Sequence, residues 1–441
     1  MTATTALLSR YRTALFIGLL ALVLRLILVL ILDPSPNFKG GDANWYMFNG
    51  HELMTTGKTP GPIQTAPLYP VVLGMVQVLI PGAASGRTLY THAEMQTVRV
   101  LQSILGALLC LFVYTLTRRL LSERAGRLAA LVLAISPALI LEAGNLTTES
   151  LFMFFVFGGL AFYVAAQQDP TPRAFAWAGI LFGLATLTRA VFLLFPLGLV
   201  VPLFWIHRPR WRRLALALLV SYGLVISTWT IYNALVWQRL VIGGEGFLSF
   251  VYQGATSKAS PQTLDEQLGI SPENANQQRN EAMQKGIKEN VLENPLGWIE
   301  HRVKELADAY LQPHNTNRLK GKSLRGLASD WVRHDRSLGG LIDLTRVGSF
   351  WPKLLLYVFH FGGLLFGAGG LWAGRRQWRS LFSLYAMIFY FTGIHIVLLV
   401  LPRYLFPVYP VFWIFGSALL VMAWDWRKRA WAAYHGFPAG L

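Results

Sequence analysis

Ten apolar runs, most of them close to 20 residues long, constrain this chain more than any motif in it. They fall at about 13–32, 97–117, 128–143, 148–167, 174–188, 190–206, 214–237, 352–373, 380–400 and 404–424. A run of this length matches a bilayer hydrocarbon core about 30 Å thick, where backbone N–H and C=O groups must find partners within the protein. The expectation is an all-α polytopic membrane protein, a bundle of about ten transmembrane helices. With 54% of its 441 residues hydrophobic and 14% charged, the chain lacks the polar inventory of a soluble domain. The runs at 174–188 and 190–206 are short, so tilted or partly re-entrant segments are expected there.

The net charge of +17 invites a nucleic-acid reading, and its placement argues against one. Put the N-terminus in the cytosol and alternate sides. The cytosolic flanks then hold 17 Lys and Arg residues, among them Arg118, Arg119, Arg208, Arg375 and Arg427, against Glu123, Asp169 and Asp425, which is +14 of the +17. Segment 238–350 carries 14 basic and 13 acidic residues and is nearly neutral. Excess Lys and Arg in short loops orients a membrane protein. The charge is therefore a topology signal: both termini are expected in the cytosol of a multi-pass cytoplasmic (inner) membrane protein, with no nucleic-acid partner. The one cysteine, Cys110, lies inside a predicted span, so no disulfide framework is available. The first run is too long for a signal peptide, and Asp33-Pro34-Ser35-Pro36 offers no small-residue cleavage site; an uncleaved anchor is expected.

This alternation divides the chain into an N-terminal transmembrane module, 1–237, a mainly helical extracytoplasmic domain, 238–350, and C-terminal transmembrane helices, 351–441. The first outer loop, 33–96, should hold one short interfacial helix over Asp42–Met54 and a second run, Leu68–Ile80, too short to span. In the next outer turn, Asn145 or Thr147 is expected to cap the helix that follows, with Glu149 in its first turn. Within 238–350, Asn294-Pro295 reads as N-cap and first helical residue. Leu296, Ile299, Val303, Leu306 and Tyr310 then form a stripe that should dock on the domain or the membrane.

No P-loop, dinucleotide fingerprint, zinc-ligand cluster or nucleophile elbow stands out, so a cytosolic ATP-driven mechanism has no visible motor. What remains is ionisable residues at the outer ends of spans. Asp42 and Glu149 are the leading acids, because group transfer to a hydroxyl needs a base and a carboxylate can serve. Their plainer reading is helix capping, and Glu142 can simply mark the end of its span. Arg25 lies mid-span, where an arginine is costly; it should face the bundle and meet an anionic partner. Arg189 and Arg403, at outer interfaces, can grip a phosphate through a planar fork or merely anchor helix ends. Snorkelling is the default for Arg99. Trp45, Tyr46, Tyr69, Tyr404 and Tyr409 fit an aromatic belt, with sugar stacking open to one or two of them.

An acid after the first span followed by Trp45-Tyr46 resembles the first outer loop of GT-C glycosyltransferases. The resemblance is to the branch containing protein O-mannosyltransferases and the lipid A aminoarabinose transferase. Arg99-Val100-Leu101-Gln102, Arg118-Arg119, Ser136-Pro137, Thr148-Glu149, Thr186-Leu187-Thr188-Arg189, Ile231-Tyr232-Asn233, Asn294-Pro295 and Arg403-Tyr404-Leu405-Phe406-Pro407 agree in order. The likeness implies a GT-C-like bundle and an inverting transferase. Such an enzyme would move a sugar from a polyprenyl-phosphate donor to a hydroxyl of a lipid, glycan or protein, on the outward-facing side of the membrane. It maps the catalytic base onto Asp42 and the second acidic position onto Glu149. Arg25, Arg189, Arg403, Tyr404 and Tyr46 become candidate substrate-binding residues. Many relatives carry two adjacent acids in the first loop, whereas Gly41 and Ala43 flank Asp42 here. No cofactor and no catalytic metal are expected, although a divalent cation stays open. A secondary transporter or flippase and a polymer ligase of the O-antigen type are the competing readings. Transporters favour inverted repeats and midplane polar sites, which are not evident here.

Overall fold

The computed structural model describes residues 3–34, 42–59, 66–80, 91–244, 246–256 and 275–434. Gly40, Gly41 and residues 257–274, which the sequence reading also touched, lie outside these. Among the described residues every regular element is helical. Among the described residues six helices are long and apolar enough to cross a membrane: Arg12–Leu32, His92–Leu120, Glu149–Gln168, Trp211–Trp237, Phe350–Gln377 and Pro402–Arg429. Shorter apolar helices accompany them, so the chain is a multi-pass membrane bundle, as its apolar runs require.

Helix α1 (Ala3–Ile27) runs into a π-helical turn, Leu28–Leu32, that brings Asp33 to one end of the bundle. Two short helices, α2 (Asp42–Thr56) and α3 (Leu68–Leu79), pack against each other at that end. Then come α4 (His92–Leu120), which opens with a Thr91–Glu94 capping box, α5 (Glu123–Ile135) and α6 (Pro137–Glu142). The single run expected at 128–143 is thus two helices. Pro137 has no N–H to continue the ladder, and the chain breaks at Ser136. Helices α7 (Glu149–Gln168) and α8 (Pro172–Thr188) form a close pair. The run at 190–206 is broken, as its length suggested. A 3₁₀ turn, Ala190–Phe192, precedes the short α9 (Phe195–Gly198) and α10 (Val200–Ile206). The long α11 (Trp211–Trp237) packs along α8.

Segment 238–350 holds α12 (Phe247–Thr256), α13 (Ala275–Ile287), α14 (Pro295–Leu311), α15 (Leu324–His334) and α16 (Leu338–Thr345). Asn294 caps α14 as expected, accepting from Gly297 N at 3.2 Å. Of the expected stripe, Leu306 and Tyr310 pack inward in a shared apolar cluster, and the first three residues lie at the surface. Leu296, Ile299 and Val303 are exposed, and Arg302, Leu306 and Ala309 are buried. Helices α17 (Phe350–Gly374), α18 (Phe382–Val397), α19 (Pro402–Leu405) and α20 (Tyr409–Tyr434) complete the bundle.

Two buried arginines explain how the broken helices are tolerated. Arg25, fully buried, donates to Ala21 O at 2.8 Å, Ala134 O at 3.2 Å and Leu133 O at 3.3 Å. The usual donor to Leu133 O four residues on would be Pro137, which has no N–H. Arg25 therefore meets carbonyls at the end of α5 and not the anionic partner its depth suggested. Arg302 on α14 repeats the device. It donates to Ile396 O at 2.9 Å, His395 O at 2.8 Å and Leu398 O at 2.6 Å, capping α18. The residue four beyond Leu398 is Pro402. A cation is doubly suited to a helix C-terminus, since it satisfies orphan carbonyls and opposes the helix dipole.

The α2–α3 pair depends on two glycines. A Cβ at Gly50 would lie 2.2 Å from Pro70 O, and one at Gly74 would lie 2.1 Å from Gly50 O. Gly50→Val is therefore expected to force the hairpin apart. Overpacking of this kind costs about 1–3 kcal/mol. Thermal unfolding of the purified protein in detergent should fall accordingly, and Gly57→Val, where nothing lies within 4 Å but φ is +72°, should act only locally.

Candidate active site

The acids and cations singled out in the sequence converge at the end of the bundle that carries α2 and α3. Asp42 is the first residue of α2, and its Oδ2 accepts from Arg403 Nη1 at 2.5 Å. Glu149 opens α7, and its Oε1 accepts from Arg189 Nη1 at 3.0 Å. Tyr404 sits between the two pairs. The Arg189 and Arg403 guanidinium carbons each lie 5.1 Å from its ring centroid, and its hydroxyl accepts from Arg403 Nη2 at 3.3 Å. Both arginines stand where a span is interrupted. Arg189 follows the last residue of α8 in extended conformation, and Arg403 lies in the four-residue α19 behind Pro402. Interrupted backbone at this depth frees side chains to turn toward a polar site.

Tyr46, one turn along α2 from Asp42, completes the cluster. Burial raises its phenol pKa most; Asp42 and Glu149 raise it further, and Arg189 and Arg403 oppose them. All four charges thus act on one buried hydroxyl, which stays protonated. Tyr46 meets Tyr69 edge-on at 5.3 Å between centroids, and Tyr69 donates to Gln102 Oε1 at 3.0 Å. Arg403 Nε is buried without a hydrogen-bond partner among the described residues.

The two ion pairs differ in setting. The Glu149 and Arg189 side chains are 3% and 12% exposed, those of Asp42 and Arg403 44% and 33%. The first is a buried pair, the second an accessible one. Arg25 takes no part: its partners are the α1 and α5 carbonyls already described. Arg99 does not snorkel either. It is buried and donates to Asp33 Oδ2 at 3.1 Å, where Arg318 also donates at 3.0 Å.

Glu142 was the weak candidate among the acids, and it is the centre of a buried network. Its carboxylate accepts from Asn145 Nδ2 at 2.9 Å, Thr147 Oγ1 at 2.6 Å and Asn315 Nδ2 at 3.0 Å, and pairs with His314 Nε2 at 2.8 Å. Asn145 and Thr147 therefore bond Glu142 and do not cap α7, whose N-cap Thr148 makes no side-chain bond. Gln102 donates to Ala143 O at 3.2 Å and to Asn145 O, linking this turn to Tyr69. His314 and Asn315 come from the loop after α14, so the network ties segment 238–350 to the turn that presents Glu149. Nothing in the sequence around His314 signalled this. Among the described residues no group of three or more His, Cys, Asp or Glu side chains is placed to hold a metal ion.

An apolar groove of about 780 Å³ lies between the α2–α3 pair and the α8–α11 pair. Leu53, Met54, Leu68, Val71, Leu184, Leu187, Val225 and Trp229 line it, and its polar lining comes from Ser221, Thr228 and Tyr232. Tyr232 stacks on Trp229 at 4.9 Å. Its hydroxyl donates to Gly57 O at 3.2 Å and accepts from Thr59 N at 3.3 Å, pinning the end of α2 to α11. Leu187 is two residues from Arg189, and Leu68 is next to Tyr69. Leu68 packs both on the core that holds Ala43, Met47 and Tyr69 and on Leu187 and Trp229, so this end of the groove adjoins the helix that carries Asp42 and Tyr46.

Residues 84–237 match the family model described as dolichyl-phosphate-mannose-protein mannosyltransferase. This stretch contains Glu142, Glu149, Arg189 and one wall of the groove. No curated protein sequence matches the chain. Among solved structures, the oligosaccharyltransferase of Archaeoglobus fulgidus in its apo form aligns with TM-score 0.56 and 16% identity, over 96% of this chain and 52% of that one. The AglB oligosaccharyltransferase of the same organism, in complex with an inhibitory peptide and a dolichol-phosphate, aligns with TM-score 0.53 and 14% identity, over 97% and 52%. The likeness shows a shared fold, and this chain spans about half the length of those chains.

Breaking the Glu142 network is expected to loosen the whole end of the bundle. Leaving a buried hydrogen-bonding group without its partner costs about 1–3 kcal/mol, more where that group is charged. Glu142→Ala and His314→Ala should each lower the unfolding temperature, and the double variant should fall short of their sum by about 0.5–3 kcal/mol. Additive effects in that cycle would show that the two side chains do not act together.

Proposed function

We propose that this chain is a GT-C-type membrane glycosyltransferase that moves a sugar from a polyprenyl-phosphate carrier to a hydroxyl acceptor at the non-cytosolic face of the membrane. The observation that carries the reading is the adjacency of a long apolar groove to a cluster of two carboxylates and two guanidiniums. A substrate that fits both must be an amphiphile with an anionic head. The related fold solved with a dolichol-phosphate supports an isoprenoid phosphate in that role. The arginine-rich ends of α4 and α5, at the opposite end of the bundle, support a cytosolic placement there and a non-cytosolic one for the cluster.

In the proposed reaction the isoprenoid tail lies along Leu53, Leu68, Leu184 and Trp229, and the phosphate meets Arg403 and Arg189. The acceptor oxygen attacks the anomeric carbon in line. The bond from that carbon to the phosphate oxygen breaks, the electron pair leaves with the polyprenyl phosphate, and the sugar inverts. Asp42 takes the acceptor proton, and the guanidiniums stabilise charge growing on the leaving phosphate. Glu149 holds Arg189 in place, while Tyr46 and Tyr404 wall the sugar site. The charge stabilisation is supplied by arginine, so the reaction is expected to proceed in the presence of a chelator.

A purified-enzyme transfer assay tests these assignments. Asp42→Asn should lower the rate by about 10²–10⁴, the range for a lost general base, with carrier binding retained. Unchanged turnover would remove Asp42 from the chemistry. Arg403→Lys should not restore the rate lost in Arg403→Ala, because an ammonium cannot reproduce the planar fork. Leu184→Asp in the groove should raise KM for a full-length carrier and leave KM for a carrier with a short tail nearly unchanged.

A further inference from the structure

Helices α15 and α16 contribute to neither the cluster nor the groove, yet α16 has a clear apolar face. Leu338, Leu341 and Ile342, at spacings of three and one, are 79%, 43% and 56% exposed. The chain continues through exposed Val347 into α17, where Trp351, Leu355 and Val358 form an exposed stripe. Since α17 is one of the six helices able to cross a membrane, that stripe is its lipid-facing side. The apolar face of α16 therefore continues a lipid-facing surface around a corner.

The corner is rigid. Lys353, buried near the start of α17, donates to Lys320 O at 2.9 Å, Gly321 O at 2.8 Å and Lys322 O at 2.7 Å, fixing the entry to α15 against the spanning helix. Charge is also concentrated there. Segment 320–346 carries Lys320, Lys322, Arg325, Arg333, Arg336 and Arg346 against Asp330, Asp335 and Asp343, six against three. The remainder of 238–350 then has eight basic and ten acidic residues, so the positive excess sits beside the apolar face.

We infer that α16 is an interfacial helix, its Leu338–Ile342 face sunk into the leaflet at the active-site end and its neighbouring arginines set on anionic lipid headgroups. An apolar face flanked by basic residues and continuous with a lipid-facing stripe has the features of a helix lying in the membrane plane. The occupant is lipid because the adjoining surface is already lipid-facing. The inference rests on the placement of α16 and is independent of the proposed reaction.

The test uses the full chain in lipid nanodiscs containing anionic lipid. An environment-sensitive fluorophore is attached through Ile342→Cys and, as a control on the opposite face, Asp343→Cys; Cys110 is buried, and the wild-type chain reports background labelling. The probe at position 342 should emit at shorter wavelength. Lipids carrying a nitroxide high on the acyl chain should quench it at least about twofold more than the probe at position 343, whereas aqueous iodide should show the reverse preference. Arg333→Gln with Arg336→Gln should weaken the quenching in anionic discs toward its level in zwitterionic ones. Equal quenching at the two positions overturns the inference. So does a position-342 probe shielded from both iodide and nitroxide lipid, which would mean that protein covers the face. Leu341→Cys repeats the measurement should Ile342→Cys fail to fold.

Discussion

The pairing of Asp42 with Arg403 joins residues 361 positions apart and closes one end of the bundle. It brings the first helix after the first span to the broken entry of the last one, while packing of α2 on α3 and the Tyr232 bonds to Gly57 and Thr59 hold the groove wall. The two ion pairs at this end are not equivalent. A buried pair such as Glu149–Arg189 is costly to open, because each partner would be left charged in a medium that solvates it poorly. An accessible pair such as Asp42–Arg403 contributes little net stability and can exchange partners. On the proposed reading, that difference assigns the roles. The fixed pair is scaffold, and the exchangeable one supplies a guanidinium to the phosphate and leaves a carboxylate free to act as base.

Helix interruptions recur wherever this end of the molecule does something unusual. Pro137 breaks α5 from α6, and Pro402 separates α18 from α19. Each proline withholds an N–H from a carbonyl four residues earlier, Leu133 or Leu398, and in each case an arginine from elsewhere in the chain supplies the missing donor. A lysine does similar work for three consecutive carbonyls at 320–322. These buried cations are partnered mainly by backbone oxygen. Arg302 also pairs with Glu305, whereas Arg25 and Lys353 donate to backbone oxygen; such partners let a bundle carry broken helices at membrane depth.

How much of this was legible in the sequence follows from the range of each signal. Apolar run length is local, so the spans, the short Leu68–Leu79 helix and the broken 190–206 region could be read directly. Asp42, Glu149, Arg189 and Arg403 were legible as candidates because ionisable residues are few at the outer ends of the spans, and Tyr46 and Tyr404 as aromatics in the same stretches. Their mutual arrangement was not. Arg25 misled because depth alone says that a partner is needed but not which kind, and a carbonyl orphaned by a distant proline leaves no acidic mark. Arg99 misled in the opposite sense, since a span-end arginine ordinarily reaches water and Asp33 intercepts it. Glu142 was read only as the mark of a span end and His314 was not singled out, because a polar network is a property of packing across 172 residues.

The same reasoning bears on why the cluster lies beside the groove and not within it. A phosphate drawn into a purely apolar slot would lose its hydration with nothing to replace it. On the proposed reading, the tail would stay at the border among Leu53, Leu184 and Trp229 while the head would meet the guanidiniums of Arg189 and Arg403, which Glu149 and Asp42 already orient. Arg403 enters this exchange with a buried Nε that has no hydrogen-bond partner among the described residues. Its fork therefore has donor capacity that Asp42 and Tyr404 leave unused. On the proposed reading, a phosphate that shifts the Arg403 side chain could engage that donor while the Asp42 contact persists.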